Sequence, residues 1–185
     1  MAKRLFLLDG MGMIYRAHFA LINRPIFTSK GINTSALYGF TQSLLEILRD
    51  QKPTHIAVAL DSGAPTQRHA DFKEYKAERQ ETPEDISLAI PNVYRMLDAF
   101  NIPALTCEGY EADDIVATLV QKAEREGFQT WMVTLDKDFG QLVSPNTFFY
   151  KLSRMGGDVE IMGVPEILKK WEIQKPQQVI DVIAL

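Results

Sequence analysis

The sequence has little cysteine, no surplus of positive charge and no long hydrophobic run. Its single cysteine, Cys107, excludes an internal disulfide and indicates a reducing compartment. The formal net charge of -4 gives no global positive field to attract nucleic acid, so a DNA-binding chain would need a local basic patch or metal ions. The apolar run after Arg4 stops at Asp9, far short of a membrane span, so a soluble intracellular protein is expected.

Hydrophobic residues make up 46% of the 185 positions, enough for a sizeable core. Short continuous apolar runs predict strands, and these lie at residues 5–8, 56–60, 103–107, 130–135 and 148–150. Helical spacing predicts helices between and after them, at residues 12–22, 35–48, 83–100, 111–127, 164–171 and 176–185. This alternation predicts an α/β domain with a largely parallel sheet.

Acidic residues stand where these strands end or where the next helix begins. The acids with this placement are Asp9, Asp61, Glu111, Asp113, Asp114, Asp136 and Asp138. Ligands of such sheets bind beyond the carboxyl ends of the strands, so we expect these side chains to meet at one edge. Two carboxylates about 4 Å apart repel by roughly 4 kcal/mol at an effective dielectric near 20, so the group would need protons or cations.

The donor chemistry of this cluster favours Mg²⁺ or Mn²⁺ over Zn²⁺, because the ligands are oxygens. The three histidines, His18, His55 and His69, show no ligand spacing. Each acid taken alone has a simpler explanation, since aspartate after a strand is a common turn or capping residue. Acids in a first helical turn also complement the helix dipole. Together, the acids favour a metal site.

Residues 68–81 are charged throughout, and on a helix at ~100° per residue their charges separate by face. With position 73 at zero, the acids fall between about 80° and 160°. The basic side, between about 220° and 360°, holds Arg68, Lys73, Lys76 and Arg79. Phe72 and Tyr75 lie on or beside that side, and cations with flat rings suit a phosphate backbone with bases to stack on. The alternative is a solvated helix held by i,i+4 pairs.

Several segments resemble a known family, in order along the whole chain. They are Asp-Gly at 9–10, Tyr-Arg at 15–16, Ala-Leu-Tyr-Gly-Phe at 36–40, Leu-Asp at 60–61, Arg-His at 68–69, Glu-Tyr-Lys-Ala-Glu-Arg at 74–79, Thr-Pro-Glu-Asp at 82–85, Glu-Gly-Tyr-Glu-Ala-Asp-Asp at 108–114 and Asp-Lys-Asp at 136–138. Together they resemble the 5′-nuclease domain at the N-terminus of bacterial DNA polymerase I, of the flap endonuclease superfamily. The resemblance implies a PIN-like 5′-nuclease fold: a twisted, mostly parallel sheet flanked by helices, with a helical arch, here residues 66–82.

The resemblance also implies two Mg²⁺ ions, for which Mn²⁺ can substitute. The ligands implied for the first ion are Asp9, Asp61, Glu111 and Asp113, with Asp114 close by. Those implied for the second are Asp136 and Asp138. Lys76 and Arg79 match arch cations that contact the scissile phosphate, and Tyr15 matches a ring that stacks on a substrate base. From the charged face we add three substrate-binding residues: Arg68, Lys73 and Tyr75.

The implied activity is a structure-specific 5′-3′ exonuclease and flap endonuclease that hydrolyses phosphodiesters by a two-metal mechanism in replication and repair. The expected partners are DNA with a 5′ flap or nick and RNA primers. The protein is expected to be a monomer in the bacterial cytoplasm, without membrane contact and with polymerase domains in the same parent chain.

The end of the chain departs from the family pattern. After a segment like 177–185, the family continues with Gly-Asp and a further Asp, which complete the second metal site and lead into a helix-turn-helix module. The present chain stops at Leu185. Residues 1–185 are therefore expected to be a truncated catalytic domain with a weakened second metal site, poor affinity for duplex DNA and little or no turnover.

Two other hypotheses about the function stay open. A phosphotransfer enzyme or phospho-acceptor module would use Asp9 as nucleophile, but position 11, where such proteins place a second aspartate, is Met11. That reading also leaves the basic segment unexplained. A non-catalytic DNA-binding fragment is the other alternative.

Overall fold

A six-stranded sheet forms the centre of the protein in the computed structural model, which describes residues 2–64, 66, 68, 72, 81–152 and 159–185. Its strands are β1 (Arg4–Asp9), β2 (His55–Ala59), β3 (Ala104–Leu105), β4 (Gln129–Val133), β5 (Thr147–Lys151) and β6 (Glu160–Met162). The order across the sheet is β3-β2-β1-β4-β5-β6. The pairs from β3 to β5 are parallel, and β6 pairs antiparallel with β5.

Helices connect and cover these strands. They are α1 (Gly10–Ala20), α2 (Ser35–Glu46), α3 (Glu84–Ala99), α4 (Ala112–Arg125), α5 (Val164–Trp171) and α6 (Val179–Ile183). A π-helical turn, Ile47–Gln51, extends α2, and 3-10 turns form at Lys137–Leu142 and Pro176–Gln178. Within the described residues, no helix combines the length and apolar composition needed to cross a membrane.

Residues of β1 alternate between two hydrophobic cores, one on each face of the sheet. Phe6 and Leu8 belong to the core that is completed by α1, α2 and α3. Leu7, between them, belongs to the second core, which α4 and α5 cover. Because successive strand residues point to opposite faces, helices on both sides bury the middle of the central strands on both faces. The predicted α/β fold, a mostly parallel sheet flanked by helices, is confirmed.

Two predicted elements are shorter than expected. The strand predicted at residues 103–107 is reduced to Ala104–Leu105, because Pro103 has no N–H to donate and the chain then turns, with the Tyr110 N–H bonded to the Cys107 carbonyl at 3.2 Å. The helix predicted at residues 176–185 is a 3-10 turn followed by the five-residue α6. Most of the arch predicted at residues 66–82 lies outside the described residues.

The junction between β1 and α1 packs closely against β2. Asp9 ends the strand and caps the helix, since its Oδ1 accepts a hydrogen bond from the Gly12 N–H at 2.9 Å. A Cβ placed on Gly10 would lie 2.5 Å from Leu60 Cδ2 and 2.8 Å from the Ala59 carbonyl oxygen. Glycine is therefore needed at this position so that Asp9 can lie at the sheet edge.

Replacing Gly10 with alanine tests this close approach. We expect Gly10→Ala to lower the free energy of unfolding by about 1–3 kcal/mol, because overpacking forces the backbone or its neighbours to shift. Gly140→Ala is the matched control: Gly140 is also buried, but its added Cβ would meet Val179 at an ordinary 3.4 Å. Urea unfolding of both variants measures the difference, and equal effects would contradict the packing argument.

Candidate metal centre

Three aspartates follow three adjacent strands of the sheet. Asp9 is the last residue of β1 and pairs in register with Ala59 of β2, two residues before Asp61. On the other side, Leu8 of β1 pairs with Val133 of β4, three residues before Asp136. The strand order therefore places Asp9 between the chain segments that carry Asp61 and Asp136.

Thr134 links two of these aspartates directly. Its hydroxyl donates to Asp9 Oδ2 at 2.8 Å and accepts from the Asp136 N–H at 3.0 Å. Thr134 is buried, with 2% exposure, at the end of β4. The sequence analysis missed this residue. The signal that could have identified Thr134 is its position: it is a polar residue at the end of an apolar run, two positions before an aspartate.

The start of α4 brings three more acids to the same edge. The Ala112 N–H donates to Asp61 Oδ1 at 2.8 Å and so joins the first turn of α4 to the end of β2. Asp114 caps that turn, because its Oδ2 accepts from the Glu111 N–H at 3.1 Å. Asp113, which lies between Glu111 and Asp114 in sequence, is partly buried.

Arg68 lies against two of the α4 acids. Its Nη1 is 2.5 Å from Glu111 Oε2 and its Nη2 is 2.6 Å from Asp114 Oδ1. The Glu111 side chain is only 6% exposed. The charged-face analysis predicts that Arg68 contacts substrate; in the structure its guanidinium lies at the acidic cluster, and substrate contact stays a prediction.

Asp136 and Asp138 are exposed and belong to one short turn. The Asp138 N–H donates to Asp136 Oδ1 at 3.0 Å, at the start of the 3-10 turn Lys137–Leu142. Phe139, which is 5% exposed, anchors this turn in the core below. The two carboxylates thus stand on one short turn, and the charge of Asp136 acts on Asp9.

Burial and mutual repulsion raise the pKa of several of these carboxyls. Burial is the main cause for Asp9, and the charges of Asp61 and Asp136 add to it, against the hydrogen bonds from Gly12 and Thr134. Negative charge on Asp9 is therefore less favourable in the folded protein than in water.

The same two causes raise the pKa of Asp113 and of Asp138. The pKa of Asp113 is raised first by burial and then by the charges of Glu111 and Asp114, while the Arg68 guanidinium opposes them. The pKa of Asp138 is raised by burial and by Asp136. A bound cation would relieve this repulsion.

The donor set fits a hard divalent cation, since it consists of carboxylate oxygens. However, in the part of the chain that the structure describes, no three or more acid, histidine or cysteine side chains are arranged to hold one ion. Asp61 instead accepts a backbone hydrogen bond, and Glu111 and Asp114 pair with Arg68. Some of these side chains would have to move for one cation to contact three of them.

The predicted substrate-binding residues are described only in part. Tyr15 lies on α1, where its hydroxyl donates to Thr82 Oγ1 at 3.2 Å and its ring is 6.3 Å from that of Phe19. Thr82 comes directly after the segment predicted to carry the basic face. The remaining predicted residues lie outside the described part of the chain: Lys73, Tyr75, Lys76 and Arg79.

Solved structures define the class of this fold. The T5 D15 protein, crystallised with metal ions, is 17% identical and superposes with a TM-score of 0.74 over 96% of this chain and 64% of its own. The catalytic core of Rad2 in complex with DNA substrate is 20% identical, with a TM-score of 0.58 over 97% of this chain and 52% of its own. The architecture is therefore the 5′-exonuclease and flap endonuclease fold.

Sequence relatives identify the family. A model described as the 5′-3′ exonuclease, N-terminal resolvase-like domain matches residues 4–172, and the chain belongs to this family. DNA polymerase I of Bacillus subtilis is 43% identical over 99% of this chain, and that of Bacillus caldotenax is 42% identical over 100%. The chain spans only 20% and 21% of those two proteins. A 5′-3′ exonuclease of Aquifex aeolicus is 36% identical, and the chain covers 61% of it. The family resemblance predicted from the sequence is confirmed.

The raised pKa of Asp9 predicts a pH-dependent effect of removing its charge. Because the folded-state pKa lies above the unfolded value of 3.8, ionised Asp9 destabilises the fold at neutral pH, and the effect disappears once both states are protonated. Asp9→Asn is therefore expected to raise the melting temperature at pH 7 in EDTA, with the gain shrinking as pH falls towards 3.8. Thermal unfolding at a series of pH values from about 7 down to about 4 measures the change.

Asp181→Asn is the control, since Asp181 is exposed on α6, outside the acidic cluster. A melting temperature for Asp9→Asn that is unchanged at pH 7, or a gain that does not depend on pH, would contradict the electrostatic account.

Proposed function

We propose that this chain is the 5′-nuclease catalytic domain of a bacterial DNA polymerase I, and that it hydrolyses DNA phosphodiesters with divalent metal ions. The observation that carries the proposal is the acidic edge of the sheet, where Asp9, Asp61 and Asp136 follow adjacent strands and α4 adds three more carboxylates. Membership in a 5′-3′ exonuclease family supports a nuclease over a phosphotransfer enzyme.

Two ions, Mg²⁺ or Mn²⁺, fit the proposal. The residues that would hold the first are Asp9, Asp61, Glu111 and Asp113, with Asp114 beside them, and those for the second are Asp136 and Asp138. Bound ions of this kind activate water for in-line attack and stabilise charge on the attacking and leaving oxygens. The structure of the T5 5′-exonuclease with bound divalent metal ions, in that case zinc, supports a divalent metal in this fold.

Hydrogen bonds within the protein would keep the ligands oriented. Thr134 holds Asp9 through its hydroxyl, and the Ala112 N–H holds Asp61. Partners of this kind fix the orientation of metal-binding carboxylates and are required for full metal affinity. The buried position of Thr134 also removes water from one side of the cluster.

The proposed substrate is DNA with a 5′ flap or nick, or an RNA primer on DNA. A structure of the bacteriophage T5 D15 flap endonuclease with DNA and metal ions supports a nucleic acid at this site. Since the chain carries a net charge of -4, phosphate contacts must come from local cations, which we assign to Lys76, Arg79, Lys73 and Arg68. Tyr15 and Tyr75 would supply rings for stacking on bases.

The setting is inferred from the relatives. We assign polymerase domains to the same parent chain, because the related DNA polymerase I proteins are about five times longer than this chain. We also place the protein in the bacterial cytoplasm as a monomer.

Removing one proposed ligand tests the catalytic role of the acidic edge. In the longest available parent chain, Asp113→Ala should lower Mg²⁺-dependent cleavage of 5′-flap DNA by more than about 100-fold, because losing even an outer partner of a metal ligand costs 10–100-fold. Glu108→Gln is the matched control, since Glu108 is an exposed acid in the loop before α4. Circular dichroism and the melting temperature establish that both variants are folded. Unchanged cleavage by Asp113→Ala would refute the assignment.

The basic segment is tested by the salt dependence of DNA binding. Lys76→Ala and Arg79→Ala should each reduce the slope of log K against log salt by about 0.7–0.9, because each removes one phosphate contact. Lys169→Ala is the control, since Lys169 is exposed on α5. Binding is measured in Ca²⁺ by fluorescence anisotropy on 5′-flap DNA. A slope that equals that of the control would contradict the proposed phosphate contacts.

A further inference from the structure

Arg68 joins two of the acids that the proposed metal site requires. One guanidinium nitrogen contacts Glu111 and the other contacts Asp114, at 2.5 and 2.6 Å. Such short, charge-assisted contacts are among the stronger polar interactions in proteins. Arg68 itself is 41% exposed, so its guanidinium reaches the cluster from the solvent side.

The Arg68 guanidinium compensates a buried charge at Glu111. The Glu111 side chain is 6% exposed, and burial of a carboxylate is costly unless the group is paired and hydrogen-bonded. The Arg68 guanidinium also opposes the rise in the pKa of the neighbouring Asp113. In the described arrangement, positive charge at the α4 acids thus comes from an arginine of the chain itself.

We propose that Arg68 is an internal counter-ion that competes with the divalent cation for Glu111 and Asp114 and so sets the metal affinity of the site. This inference rests on the proposed function, which supplies the metal. A divalent cation on these carboxylates would stand next to the guanidinium, and the two like charges repel. Metal binding therefore displaces Arg68 from the acids.

The displaced arginine would then be available to substrate. Arg68 belongs to the segment of residues 66–82 that carries the proposed phosphate-binding cations. Its release on metal binding adds a positive charge to the surface that faces DNA at the moment the metal centre is complete. Metal loading and DNA affinity are thereby coupled through one side chain.

The opposite role makes the opposite prediction. If Arg68 only held Glu111 and Asp114 in the geometry that metal needs, removing it would weaken metal binding, as loss of an orienting partner does. If Arg68 competes, removing its charge strengthens metal binding. The sign of the change in affinity separates the two roles without any measurement of cleavage.

The experiment compares Mn²⁺ affinity, measured by electron paramagnetic resonance of free Mn²⁺ without DNA, in wild type and Arg68→Met. Methionine keeps an apolar stem and removes the charge. We expect Arg68→Met to bind Mn²⁺ about tenfold more tightly, within the usual 5–150-fold range of coupling between two sites. Arg68→Lys keeps a positive charge but cannot make the bidentate contact. Its Mn²⁺ affinity should fall between those of wild type and Arg68→Met.

Arg49→Met is the control, because Arg49 is exposed and pairs with Asp50 outside the acidic edge. Its Mn²⁺ affinity should equal that of wild type. Unchanged or weaker Mn²⁺ binding by folded Arg68→Met overturns the inference while leaving the proposed nuclease intact. Absence of Mn²⁺ binding in every variant and in wild type overturns both.

A second measurement needs no folded Arg68→Met protein. In wild type, nuclear magnetic resonance of the arginine side chains should show slow rotation of the Arg68 guanidinium in EDTA. That rotation should become fast as Mg²⁺ saturates the protein, with Arg68→Lys used to assign the signal. Unchanged rotation at saturating Mg²⁺ overturns the proposed displacement.

Discussion

Repulsion among carboxylates at the carboxyl edge of the sheet is the constraint on which the rest of the structure depends. The raised pKa values of Asp9, Asp113 and Asp138 show that the folded chain holds these groups where their charge is unfavourable. Three kinds of group oppose that cost: backbone N–H donors, the Thr134 hydroxyl and the Arg68 guanidinium. Groups whose pKa values are shifted in this way cluster at functional sites, and the acidic edge has that character.

The scaffold keeps these acids in place because each is tied to a regular element. Asp9 is at once the end of β1 and the cap of α1, and the close packing at Gly10 brings that junction against β2. Asp61 is bonded to the first turn of α4, so a strand end and a helix start are joined across 51 positions of sequence. Two cores, one on each face of the sheet, hold the elements that carry these residues.

Much of this arrangement could be predicted from the sequence, and the reason is physical. Central parallel strands are buried on both faces, so their sequences are continuous apolar runs. Such runs predicted β1, β2, β4 and β5. Aspartates at the ends of those runs predicted the edge of the sheet at which the acids meet. The contacts of Thr134 with Asp9 and of Arg68 with Glu111 could not be predicted, because the two residues of each pair are distant in sequence. Helical periodicity placed Arg68 on a basic face but carried no information about Glu111.

The hydrogen bond between Thr134 and Asp9 spans 125 positions of the chain. Both β4 and the turn that carries Asp136 and Asp138 must join the sheet before this edge is complete, and such non-local pairing is slow to form. A nascent chain emerging from the ribosome would therefore carry Asp9 and Asp61 without a finished centre until β4 has been synthesised. Because the central strand β1 pairs with the much later β4, the acidic edge is completed only after translation has passed Asp138.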